Sequence, residues 1–107
     1  MDLKEAWDKI ITVLEGKSIE LPTVPKTNKI PVWFTASTDG NDVYINKAKI
    51  NEPSSSLTAT RKLKYKTFEK VYPLYLRRER GESVSKEVTH ATVDQVYFFS
   101  LIKHFVK

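Results

Sequence analysis

An Asp39–Gly40 pair set between two alternating runs constrains this chain more than any other feature. Pro31–Ser37 and Asp42–Ala48 both alternate in polarity, and Asp-Gly between such runs marks a tight hairpin. The favoured two-residue turn needs positive φ at both central positions. Counting outward from it pairs Ala36 with Val43, Phe34 with Ile45 and Val32 with Lys47. One face of the hairpin is then apolar. The other carries Trp33, Thr35, Tyr44 and Asn46, with Trp33 diagonal to Tyr44. Trp33 and Tyr44 are therefore candidates for stacking on a base or closing a small-ligand site, unless another element covers them.

The rest of the chain supplies elements to pack on this hairpin. At 107 residues it supports one hydrophobic core, so residues 1–107 are expected to form a single domain. Asp2–Glu15 has its apolar residues at helical spacing, with Asp2 and Glu5 placed as a capping box and Gly16 as the stop. Ser18–Leu21 alternates and is bounded by Pro22 and Pro25, which limits it to an edge strand. Thr23–Lys29 and Lys49–Ser56 read as loops. Leu57–Tyr65 alternates again and predicts a strand that projects Lys62, Lys64 and Lys66 from one face, about 6.6 Å apart.

A helix capped by Thr67 follows, with Phe68, Val71, Tyr72, Tyr75 and Leu76 on one side and Gly81 at its end. Pro73 inside it predicts a kink or two short helices. Ser83 or Ser85 starts a short helix over Val84–His90. Thr92 and Gln95 have capping-box spacing for a final helix over Val93–Val106. Val93, Val96, Tyr97, Leu101, Ile102 and Phe105 give that helix a broad apolar face, which Phe98, Phe99 and Val106 widen. So apolar a helix is either buried on most sides or meets a second copy of the chain, making Phe98, Phe99 and Val106 candidate interface residues. The expected fold is α+β. An N-terminal helix precedes an antiparallel sheet of three to four strands, and C-terminal helices pack on one sheet face.

Charge suggests the partner. The net charge of +5 is uneven: residues 1–53 hold 7 Lys against 8 acids, and residues 54–107 hold 11 Lys or Arg against 5 acids. Leu57–Gly81 concentrates Arg61, Lys62, Lys64, Lys66, Lys70, Arg77, Arg78 and Arg80 around Tyr65, Phe68, Tyr72 and Tyr75. Dense cations interleaved with aromatics are the footprint of a nucleic-acid binder. The same pattern suits a solvated basic face, and cations in a last helical turn also favour the helix dipole. The helix–turn–helix outline at His90–Ala91–Thr92 makes Gln95 the candidate base reader. A winged-helix variant would use the basic strand as its wing. Against both, the turn lacks Gly and Asp94 would repel phosphate. The rival reading is a protein-interaction module that docks an acidic partner or self-associates.

Chemistry is absent from the pattern. There is no cysteine, so thiolate catalysis and Cys-ligated zinc are excluded. His90 and His104 have no acid at ligand spacing, and three glycines form no phosphate-cradling loop. No metal, cofactor or enzymatic activity is expected. No apolar run is long enough to cross a membrane, and a cytoplasmic protein is the default expectation.

Overall fold

The computed structural model describes residues 2–25 and 29–106. Within the predicted loop Thr23–Lys29, residues 26–28 lie outside them. The chain opens with α1 (Leu3–Leu14), whose N-terminus carries the expected capping box. Glu5 N donates to Asp2 Oδ1 at 2.8 Å, and Asp2 N donates to Glu5 Oε1 at 3.2 Å. The strands β1 (Ile19–Pro22), β2 (Trp33–Thr38), β3 (Val43–Lys47) and β4 (Arg61–Leu63) form one antiparallel sheet in sequence order. The helices α2 (Tyr65–Glu79), α3 (Ser85–Ala91) and α4 (Gln95–Leu101) follow, and α4 ends in a π-helical turn over Ile102–Val106. The fold is α+β, as the sequence implied.

The hairpin is present, but its register is displaced by two residues. Thr38 faces Val43, Ala36 faces Ile45 and Phe34 faces Lys47, leaving a four-residue loop over residues 39–42. The Asp39 carboxylate builds that loop. Its Oδ1 accepts from Asn41 N at 2.9 Å and Asp42 N at 2.8 Å, while Thr38 Oγ1 donates to the Asp42 carbonyl at 2.7 Å. Only Gly40 takes positive φ, at 95°, so the two-residue turn with both centres left-handed is not formed. A slip of one residue would have turned every side chain over, whereas a slip of two keeps the faces. Leu21, Phe34, Ala36, Val43, Ile45 and Leu63 accordingly point into the core and are buried.

The helices cover that face alone. Trp7 of α1, Phe68 of α2 and Phe98 of α4 meet as an aromatic cluster, with ring centroids 5.0 Å apart for Trp7–Phe68 and 6.4 Å for Phe68–Phe98. Tyr97 packs edge-on to Phe34 at 5.0 Å, and its hydroxyl lies 2.8 Å from Ser55 Oγ. Ser100 Oγ donates to the Pro22 carbonyl at 2.7 Å. These last bonds satisfy polar atoms that the core would otherwise strand, and they fix α4 against β1 and the loop before β4.

Several local predictions are corrected. The expected strand Leu57–Tyr65 shrinks to Arg61–Leu63, and Tyr65 already belongs to α2, whose N-cap is Lys64 and not Thr67. Burial of Phe68, Val71, Tyr72 and Tyr75 on both sides of exposed Pro73 holds α2 as one helix through the proline. The short helix starts at Ser85 with Val84 as its cap. Thr92 Oγ1 accepts from Asp94 N at 2.9 Å, not from Gln95, so the last helix begins two residues later than predicted and without its capping box. Val93 is 78% exposed and Val96 43%, so the buried face of α4 is Tyr97–Leu101.

Candidate nucleic-acid interface

β4 divides the first basic residues between two sides of the sheet. Arg61 faces Ile45 across the ladder and lies on the helix-covered side, where Nη1 sits 3.7 Å from Asp94 Oδ1. Lys62 faces Tyr44 on the open side, 3.7 Å from Asp42 Oδ2 and 5.8 Å from the Tyr44 ring centroid. The predicted row of Lys62, Lys64 and Lys66 does not exist, because the strand ends at Leu63 and the chain turns into α2.

That turn creates a different cationic group. Lys64 is the N-cap of α2, and Lys66 and Lys70 follow one helical turn apart. All three are exposed, and none forms an ion pair with another described residue. The first turn of α2 holds no acid, and its N-cap makes no side-chain hydrogen bond. Lysines therefore stand at the positive end of a helix dipole, an arrangement that raises the free energy of the unliganded protein and favours an anion. Lys4 of α1 lies beside the same helix start, its Nζ 5.3 Å from the centroid of Tyr65, but it is already paired with Asp8 at 3.2 Å.

The arginines at the other end of α2 are employed differently. Gly81, at φ 91°, closes the helix: Gly81 N donates to the Arg78 carbonyl and Glu82 N to the Arg77 carbonyl, each at 3.0 Å. This brings Glu82 back over the last turn. Arg77 Nε donates to Glu82 Oε1 at 2.8 Å, and Arg77 Nη2 lies 3.5 Å from Glu87 Oε2 of α3. Arg80 Nη2 is 3.4 Å from Glu82 Oε2. The Arg77 bond holds the Glu82 carboxyl below its ordinary range and raises Arg77 itself. Arg78 stacks over Phe99 at 4.9 Å, with Nη1 3.9 Å from Glu79 Oε2. Arg77, Arg78 and Arg80 thus tie α2 to its own end, to α3 and to α4.

Other expected site residues are placed as follows. Gln95 is turned inward, and its amide oxygen is buried without a hydrogen-bond partner. Residues 97–101 are all buried, which leaves Val93 and Val96 as the exposed side chains around the start of α4. Phe98 and Phe99 are core residues, 1% and 8% exposed, and cannot form an interface with a second copy; Val106 is half-buried against the same core. Trp33 and Tyr44 share the open sheet face but not a site. Tyr44 is opposite Ser37, four residues from Trp33, or about 13 Å along the strand. The Tyr44 hydroxyl donates to Asp39 Oδ2 at 2.8 Å, which raises the Tyr44 pKa. Asp39 itself is lowered to about 2, chiefly by the Asp42 amide and then by Tyr44.

The open face holds two features that residue patterns did not reveal. A broad trough of about 1070 Å³ runs over Thr35, Ser37 and Asn46 towards Lys49 and Thr60. Beside it, the carboxylate of Glu20 accepts from the amides of Lys49 (2.7 Å), Ile50 (3.0 Å) and Asn51 (2.9 Å) and from Asn51 Nδ2 (2.8 Å). Its partners lie some thirty residues away in sequence, beyond the reach of any local pattern. Among the described residues no group of three or more His, Asp or Glu side chains is placed to hold a metal ion, and no helix is long and apolar enough to cross a membrane. Comparison with known proteins gives no match, whether to a family model, a curated protein or a solved structure.

Proposed function

We propose that this chain is a non-catalytic nucleic-acid-binding protein whose phosphate contacts come from Lys64, Lys66 and Lys70 at the start of α2. One observation carries the reading: these α2 lysines are exposed and form no ion pair with another described residue, and the first turn of the helix holds no acid, whereas the arginines of residues 77–80 are matched by carboxylates. Lysine clusters at a positive helix end supply sequence-independent affinity for phosphate. No side chain in this group is arranged to read base edges, so the binding is non-specific in sequence. The residues from 77 to 80 serve the fold.

The test is an oligonucleotide titration followed by the fluorescence of Trp7, whose ring lies 6.2 Å from Tyr65. Binding should weaken steeply with salt, with a log–log slope of about −3 on duplex for about three phosphate contacts. Charge reversal at Lys64, Lys66 and Lys70 should abolish it. Reversal at Arg77 and Arg80 should leave affinity within about three-fold and lower thermal stability instead. Absence of binding at low salt, or equal loss from both variants, refutes the proposal.

A second reading rests on Val93 and Val96, two exposed apolar side chains around the start of α4. They form the apolar patch that a protein-interaction module would present, in place of the buried Phe98 and Phe99. Self-association through them would disappear in a Val93→Lys, Val96→Lys variant, as measured by sedimentation.

A further inference from the structure

The carboxylate of Glu20 is held as a bound ligand would be. Its Oε2 accepts from the amides of Lys49 and Ile50, and its Oε1 accepts from the amide and the side-chain Nδ2 of Asn51, so each oxygen takes two donors. Successive backbone amides turned towards one point form a concavity that suits an anion. Two donors to each of two oxygens match a planar carboxylate better than a spherical ion. The ends of this loop are held without Glu20. Ala48 N donates to Ser54 Oγ at 2.9 Å, Trp33 N to the Pro53 carbonyl at 2.7 Å and Ser55 N to the Trp33 carbonyl at 2.8 Å, which ties the loop to itself and to β2. Solvent reaches the site. The bonds to Lys49 and Ile50 are exposed, and Glu20 and residues 49–51 all line the broad trough on the open sheet face.

We infer that residues 49–51 form a binding site for one small carboxylate, which the chain fills with its own Glu20. The side chain acts there as a tethered inhibitor, because a carboxylate joined to β1 competes at a far higher effective concentration than one free in solution. Removing it leaves the donors in place and open to the trough. The Cγ methylene and carboxylate that Glu20→Ala deletes together have the size of an acetate ion. The site shares no residue with the lysines of α2 and does not depend on nucleic-acid binding.

Isotopically labelled Glu20→Ala, titrated with sodium acetate, tests this against sodium chloride at equal ionic strength and against neutral acetamide. Acetate should give saturable shifts of the Lys49, Ile50 and Asn51 amides and of the Asn51 side-chain amide, back towards their wild-type positions. It should also slow hydrogen exchange in the loop. A Kd on the order of 10 mM is expected, since four charge-assisted bonds are offset by the cost of immobilising a free ion. Chloride lacks a second oxygen for the other pair of donors and acetamide lacks the charge, so each should bind at least about ten-fold more weakly. The wild-type loop should not respond at the same concentrations. Glu20→Ser leaves a similar space and should behave as the alanine variant does, with the fold of both checked by Trp7 fluorescence. No saturable acetate response from the folded variants, an equal response to chloride or acetamide, or the same response in the wild-type protein overturns the inference.

Discussion

Glu20 shows how much one side chain can organise on the open side of the sheet. Its two oxygens accept from the Lys49, Ile50 and Asn51 amides and from the Asn51 side chain, which pins the loop after β3 to β1. Those donors lower its pKa from 4.5 to about 2, with the Asn51 amide the largest cause. The unfolded chain therefore binds a proton more readily than the folded one between those two values. The stabilisation is complete above pH 4.5 and is lost as pH falls through about 2. The Lys49–Asn51 amide resonances should titrate with a midpoint near 2, and Glu20→Gln should remove that titration and increase hydrogen exchange in the loop at neutral pH. A midpoint near the ordinary glutamate value would show that the clasp is not formed in solution. None of this was legible beforehand, because a carboxylate and three distant amides leave no periodicity to read.

At the scale of elements, what the sequence showed well was the side chains' division between faces. Alternation over Pro31–Ala48 identified the core side of the hairpin correctly, because the two-residue displacement preserves it. The register itself escaped, since Asp39 uses its side chain to build a longer loop and no periodic signal reports that. The same limit applies at residues 57–66. Alternation there suggested nine residues of strand, but pairing with β3 supports only three, and the lysine row became a helix cap. Capping chemistry was readable at Asp2–Glu5 and misleading at Thr92–Gln95, where the hydroxyl turned to Asp94. Pro73 gives the sharpest test at this scale. It is exposed at the ninth position of α2, where its ring removes one helical hydrogen bond while tertiary burial keeps the helix whole. Pro73→Ala restores the amide donor without touching the core, so it should stabilise the protein by about 1–3 kcal/mol in chemical denaturation. Destabilisation would mean that the proline's rigidity in the unfolded chain matters more than the missing bond.

For the molecule as a whole, the C-terminal half carries most of the positive charge, yet the structure uses that charge at two separate ends of α2. One end is consumed by Glu79, Glu82 and Glu87; the other is left open beside α1. A count of residues cannot make this distinction, because the carboxylates that neutralise Arg77 follow a glycine turn that only the folded chain brings back. The same holds for the aromatics of the last helix. Their number suggested either a core or a contact between subunits, and their burial decides for the core: Phe98 is 1% exposed and lies in one cluster with Trp7 and Phe68. Removing its ring leaves a void where α1, α2 and α4 meet. Phe98→Ala should therefore cost about 3–5 kcal/mol of unfolding free energy, the usual range for a buried phenylalanine, while leaving the sedimentation mass unchanged. Because Phe98 is buried and the lysines of α2 are exposed, the oligonucleotide affinity proposed for those lysines should also be unaffected at a temperature where the variant stays folded. A fall in mass at near-constant stability would place the ring at an interface between copies. A loss of affinity from the folded variant would mean that the core cluster positions the lysines and that binding and packing are coupled through α2.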